Sequence, residues 1–350
     1  MAVPKFLRKL GLSLLSLLAC AAALELLARA AEPGPFSLLD RSPYVPHATL
    51  HHVHEPGFSG RWDGSWYEIN SLGMRGPELP EPTAGETQFR VVAVGDSCTF
   101  GKGVLESETW PRQLEMALAE ALGPGTRPVV ANLGVNGYAG RDYREIFLER
   151  GLAAEPDVVV IGYNLNDFPN AIRAVDQEVY RQRGLRQLLP VGLRDELNRS
   201  ALYRYLRSVF YDLNRESDWA QAEEIAARAG DSAVDPQVWA NQEAHLAEIA
   251  RASREIGAEV AVFLFPYESQ VYLDTYDRTP IELLEGLCGR LNIPFVSLER
   301  EFRDWAYRED PPRELFLRGD RYHPRPEGYA IVAQRVLELI REQGWLPSDG

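Results

Sequence analysis

A serine between small residues, directly after an apolar run, can serve as a nucleophile when a base reaches it. Val94-Gly95-Asp96-Ser97-Cys98-Thr99-Phe100-Gly101 offers that placement. Taken alone, the segment fits equally well a strand-ending turn in which Asp96 and Ser97 cap backbone groups. A base is offered far along the chain, in Gly319-Asp320-Arg321-Tyr322-His323-Pro324. Asp320 and His323 are three residues apart, so one turn can bring carboxylate and imidazole together. The carboxylate would fix the imidazole tautomer and stabilise the imidazolium formed when His323 takes the Ser97 proton. The alternative is a helix start bearing two solvated polar side chains. The expected chemistry is acyl transfer through Ser97, with His323 as base and Asp320 orienting it.

These residues need a scaffold that brings positions 97 and 323 together. From Phe89 onward, apolar runs alternate with helical patterns. The runs are Arg90–Val94, Pro128–Leu133, Asp157–Gly162, Glu259–Phe265 and Pro294–Leu298. Continuous apolar runs suit strands buried on both faces of a parallel sheet. Between them the spacing predicts helices over Trp110–Leu122, Tyr143–Leu152, Gln242–Ile256 and Pro280–Leu291, with a last helix over Pro326–Gln343. The expected fold is α/β, a doubly wound sheet of five mainly parallel strands. Ser97 would then follow the first core strand, at the carboxyl end of the sheet where such folds bind ligands. Residues 168–240 interrupt the alternation and are too long for a simple crossover. Helical spacing at Leu202, Tyr205, Leu206 and Val209 predicts a helical insertion beside the site. The chain divides into 1–31, an accessory segment over 32–88, and a catalytic domain over 89–345. Within the accessory segment, Trp62–Met74 predicts short strands with turns at Asp63-Gly64 and Gly73.

Gly95-Asp96-Ser97 and Asp320-x-x-His323 resemble the first and last blocks of the SGNH, or GDSL-type, serine hydrolases. Asn132-Leu133-Gly134-Val135-Asn136-Gly137 resembles the second block, and Gly162-Tyr163-Asn164-Leu165-Asn166-Asp167 the third. The match spans residues 89–343, with all four blocks in order. The resemblance implies a flavodoxin-like three-layer fold and an acyl-serine enzyme that cleaves O-acyl or O-acetyl esters on glycans or small molecules. It also implies an oxyanion hole formed by the Ser97 N–H, the Gly137 N–H and the Asn166 side chain, worth about 3–4 kcal/mol per donor. The third block departs from the usual glycine-rich turn, leaving Asn164 as a rival to Asn166; Gly134 is a weaker rival to Gly137. Transfer of the acyl group to an envelope sugar uses the same residues, provided the insertion excludes water. A non-catalytic glycan-binding envelope protein is a third alternative, and the complete set of blocks counts against it.

The remaining features set the compartment and the partners. Lys5, Arg8 and Lys9 precede an apolar run over Leu10–Leu24, and a helix continued to Ala31 is long enough to span a bilayer. Positive charge before the span predicts a membrane-anchored protein with its catalytic domain on the periplasmic side. Cleavage after Ala28-Arg29-Ala30, or lipidation at Cys20, would export the chain as well. A formal net charge of −14 argues against nucleic acid. The three cysteines show no disulfide framework, and the expected chemistry calls for no metal or organic cofactor. His47, His51, His52 and His54 fall close together without an acidic or cysteine ligand among them, which predicts an exposed, pH-sensitive segment rather than a metal site.

Overall fold

The computed structural model describes residues 5–123, 125–164, 167, 191–210, 213, 236–274, 276, 278–320 and 322–347. A long apolar helix, α1 (Lys5–Ala31), leads the chain. The accessory segment then forms two antiparallel pairs, β1 (Tyr44–Pro46) with β2 (His52–His54) and β3 (Ser59–Trp62) with β4 (Ser65–Glu68). Asp63 and Gly64 both have positive φ, 46° and 85°, as a two-residue hairpin turn of Asp-Gly type demands.

From Thr87 onward the chain alternates strand and helix. β5 (Thr87–Gly95) leads into a one-turn helix, α2 (Ser97–Phe100), and then α3 (Trp110–Ala121). β6 (Thr126–Gly134), α4 (Gly140–Ile146) and β7 (Val158–Asn164) follow. Two helices of the insertion, α5 (Val191–Asn198) and α6 (residues 201–210), precede α7 (Pro236–Glu255). The chain closes with β8 (Glu259–Phe265), α8 (Glu268–Tyr272), α9 (Thr279–Arg290), β9 (Phe295–Ser297), α10 (Glu299–Ala306) and α11 (Pro326–Glu342).

The sheet order is β6-β5-β7-β8-β9, and every pairing is parallel. Its strands therefore run 2-1-3-4-5, the flavodoxin-like arrangement, with the switch point beside β5. Side chains alternate between two cores. Val92, Val94, Val159 and Ile161 pack on one face with Leu246, Ile249 and Leu284. Val91, Ala93, Val158 and Val160 pack on the other with Leu114, Val332 and Val336. Both faces of β7 are covered, and all seven of its residues are buried. That explains why apolar continuity, rather than alternation, marks it in the sequence.

The five strands fall where the apolar runs predict them, and all are parallel. The pairing of β1 with β2 and the helix α10 lacked a local pattern. Most of the expected helical insertion, residues 168–190 and 214–235, lies outside the described residues, as does the oxyanion candidate Asn166. The histidine segment is a correction. His54 is only 1% exposed, packed against Tyr44 and Phe100, and burial pulls its pKa down to about 3. His51 is exposed and His52 half-buried, so the four residues do not form one solvated stretch. Strand pairing of β2 against β1 turns His52 and His54 inward.

Candidate active site

The nucleophile candidate sits where the chain leaves the sheet. β5 ends at Gly95, which pairs with Gly134 of β6 and Gly162 of β7. A β-carbon on Gly95 or Gly162 would lie 2.2 or 2.3 Å from Thr99 Oγ1, and one on Gly134 would lie 2.2 Å from the Phe100 nitrogen. Three glycines in register thus let α2 fold directly across the strand ends. Asp96 caps this turn, its Oδ1 accepting the Cys98 N–H at 2.8 Å. Ser97 follows the cap and is 7% exposed.

Ser97 Oγ lies 2.8 Å from His323 Nε2, and His323 Nδ1 lies 2.7 Å from Asp320 Oδ2. An ionised carboxylate can only accept, so Nδ1 carries the ring proton and Nε2 presents its lone pair to the Ser97 hydroxyl. Asp96 Oδ2, at 3.4 Å from Ser97 Oγ, is the poorer acceptor. The 320–323 turn is tied by its own acid: Asp320 Oδ1 accepts the N–H groups of Tyr322 at 2.9 Å and His323 at 3.1 Å. Desolvation opposes the charged form of Asp320. His323, Lys102 and the Tyr322 N–H outweigh it and hold the carboxyl well below its usual range. Lys102 follows the nucleophile turn and is kept there by Asp63, at 3.0 Å, from the β3–β4 hairpin.

The second and third blocks meet the same edge. After β6, Val135 N bonds to Gly95 O at 3.0 Å, and a turn over 135–138 carries the exposed Gly137. Gly134 is excluded as a comparable donor, because its N–H already bonds to Asn132 Oδ1 at 3.1 Å. Asn164, at the end of β7, is fully buried, and its Nδ2 lies 3.0 Å from Cys98 Sγ. Cys98 Sγ in turn reaches Tyr322 O at 3.4 Å. The thiol therefore links the third block to the histidine turn. Burial pushes the Cys98 thiol up, away from the thiolate a cysteine nucleophile needs. All three cysteines are free.

Sequence reasoning missed the supports supplied by the accessory segment. Arg75 is 4% exposed and donates to Phe100 O and Val104 O, both at 2.6 Å, and to Gly101 O. Its guanidinium lies over the rings of Tyr67 and Phe100, 4.7 and 4.8 Å from their centroids. Tyr67 OH accepts the Gly103 N–H at 2.8 Å. Arg75 stands in no local pattern that marks it for burial. Among the described residues no group of three or more histidine, cysteine or acidic side chains is placed to hold a metal.

The model of the GDSL-like lipase/acylhydrolase family matches residues 93–331, well over half of the chain. The chain belongs to this family. It is an ester-hydrolysing enzyme of the GDSL type, and its sheet is the α/β fold of such hydrolases. Among curated protein sequences none matches it. Solved structures similar to this hydrolase include the acetyl xylan esterase AlAXEase, at 14% identity and a TM-score of 0.44, covering 72% of this chain and 100% of that one. Another is an acetylxylan esterase from Geobacillus stearothermophilus, at 18% identity and a TM-score of 0.42, covering 75% and 99%. A lipolytic protein of the G-D-S-L family from Desulfitobacterium hafniense is 16% identical, with a TM-score of 0.39, covering 71% and 98%.

Proposed function

We propose that this GDSL-type hydrolase cleaves O-acyl esters, of the O-acetyl-glycan or small acyl ester class, through an acyl-Ser97 intermediate. The observation that carries the assignment of roles is the unbroken hydrogen-bond chain from Ser97 Oγ through His323 to Asp320. Ser97 Oγ attacks the ester carbonyl carbon while His323 Nε2 takes its proton. The tetrahedral oxyanion is met by the Ser97 and Gly137 N–H groups and by the side chain of Asn166. The C–O bond to the alcohol then breaks, and His323 returns the proton to the departing oxygen. Water, deprotonated by His323, attacks the acyl-enzyme and releases the acid with Ser97 restored. No step draws on a metal or organic cofactor. A fluorophosphonate probe tests the nucleophile: wild type and Cys98→Ala should label, while Ser97→Ala and His323→Ala should not. Equal labelling of Ser97→Ala would refute the assignment. Aryl esters and acetylated glycans then report the acyl group, with free acid as the product of hydrolysis.

The enzyme is further proposed to be held to a membrane by an uncleaved α1, with residues 32–350 on the periplasmic side. The helix has 27 residues, an 18-residue window with a mean hydropathy of 2.1 and an exposed apolar surface. Two polar residues near its end are engaged by the folded chain. Glu25 accepts from Ser200 Oγ at 2.7 Å and from the N–H groups of Ala201 and Leu202, each at 3.0 Å, and so caps α6. Arg29 is 7% exposed and bonds to Arg199 O at 2.6 Å and Asp40 at 3.1 Å. Cleavage after Ala30 would remove both from a domain built to receive them. The mature N-terminus, sequenced from the membrane fraction, decides: a chain starting near residue 31 contradicts retention.

A further inference from the structure

The hydrogen bond between Tyr138 N and Val135 O, at 3.3 Å, closes a β-turn with Asn136 and Gly137 at its centre. Gly137 has φ +80°, whereas the described non-glycine residues with positive φ are Asp63, Glu155 and Asn292. The turn is therefore of type II, with Asn136 at the first central position. Types I and II differ by a flip of the central peptide, here Asn136–Gly137. The turn's own hydrogen bond does not involve that peptide, so something else must choose its orientation. His52 does so from the accessory segment, with its Nε2 2.9 Å from Asn136 O. A carbonyl only accepts, so Nε2 is the protonated nitrogen.

In a trans peptide, C=O and N–H point in opposite directions. Gripping Asn136 O therefore aims the Gly137 N–H away from His52. The bond also polarises the amide and strengthens its donor end. His52 is itself fixed. Its main-chain carbonyl accepts the Tyr138 hydroxyl at 2.5 Å, and its ring meets the edge of Tyr44 with centroids 4.6 Å apart. Gly137 is exposed, and a β-carbon on it would meet nothing within 4 Å, so its outer side is open to a substrate.

We propose that His52 is a positioning residue for oxyanion stabilisation, holding the Asn136–Gly137 peptide so that the Gly137 N–H faces the tetrahedral intermediate. The proposal rests on the acyl-Ser97 reading, with Gly137 as donor. It gives the accessory segment a part in catalysis, although that segment contributes no reacting group.

The test uses the full chain in detergent and the rate of fluorophosphonate labelling, which needs no knowledge of the natural ester. In that reaction the Oγ–P bond forms, the P–F bond breaks with loss of fluoride, and the serine proton passes to His323. The transition state places negative charge on a phosphoryl oxygen in the oxyanion position. His52→Met keeps the bulk and removes the donor, and should lower the maximal inactivation rate about 10- to 100-fold, part of what one lost oxyanion donor causes. The probe concentration giving half-maximal rate should change less than about threefold, because ground-state binding does not use the oxyanion. His52→Gln, which restores an N–H near the same reach, should recover to within about fivefold of wild type. Should His52→Met not fold, His52→Asn, whose amide is too short to reach, replaces it with the same expectation. A maximal rate within twofold of wild type for the donorless variant overturns the proposal. So does equal impairment of the donorless variant and His52→Gln, which marks a purely structural role. Labelling of Ser97→Ala at the wild-type rate instead overturns the acyl-Ser97 reading itself, so the two failures are distinct.

Discussion

Two regions precede the catalytic sheet, and they attach to it in opposite ways. The accessory segment is threaded into the loops that form the site. Arg75 and Tyr67 are buried with polar atoms on backbone groups at 100–104, and buried His54 packs its ring against Phe100. The apolar helix α1 touches the rest through its last turns, by a charged clamp of Glu25, Arg29, Glu32, Asp40 and Arg204. This clamp reaches the triad only indirectly. α6, capped by Glu25, packs Ser208 so closely against Gly319 that a β-carbon there would lie 2.8 Å from its Cα. The difference separates shaping a site from locating it. Buried donors add charged hydrogen bonds to the loop carbonyls at 100, 101 and 104, and so set loop geometry. The ion cluster, with Arg29 and Asp40 at 8% and 5% side-chain exposure, instead pairs charge with charge away from the site and fixes where the domain sits.

Arg75→Met strikes the accessory side hardest. It removes the charged hydrogen bonds to the buried Phe100, Gly101 and Val104 carbonyls, each worth about 1.5–3 kcal/mol, while Asn132, the Val104 N–H and Ser65 still reach them. Urea unfolding should show a loss of about 3 kcal/mol or more. A loss below about 1 kcal/mol would mean that the second donors or water satisfy these carbonyls, and the contrast between the two regions would weaken.

Acid should act through the same segment. Burial lowers the pKa of His54 to about 3, while in the unfolded chain it titrates near 6.5. Between those values the unfolded state binds the extra proton, so stability falls as pH drops from 6.5 toward 3 and is unaffected by this group above 6.5. His54→Phe, which suits the stack on Tyr44 and Phe100, removes the effect. From pH 7 to pH 5 wild type should lose about 2 kcal/mol more than the variant in urea unfolding. Parallel pH profiles would show that His54 is solvated.

The smallest effect belongs to the clamp. Glu25→Ala removes a helix cap and should cost about 1 kcal/mol, with the Ser97 labelling rate kept within about twofold. Residues 32–350 alone should behave alike. A tenfold loss of labelling in either would join α1 to the site and erase the distinction.

Much of the proposed site is legible in the sequence. Ser97, Asp320 and His323 each lie in a short segment whose residue types declare the chemistry, and apolar runs place the strands that bring them together. Local signals work there because a turn after a buried strand, and an acid three residues before its histidine, are local geometry. The same local signals misread His54, because strand pairing between β1 and β2, not the polarity of the segment, decides which histidine turns inward. The blocks favour Gly137 over Gly134 as donor, and Asn132 occupies the Gly134 N–H. The burial of Arg75 under α2 and the grip of His52 on Asn136, 84 positions away, left no mark in the sequence. By itself the chain determined the fold and the short segments that carry Ser97, Asp320 and His323. Only the tertiary structure decided which backbone groups remain available to those atoms and what holds them in place. Hydrogen-bond partners of a loop are chosen by whatever packs against it, and that choice is made across the chain rather than along it.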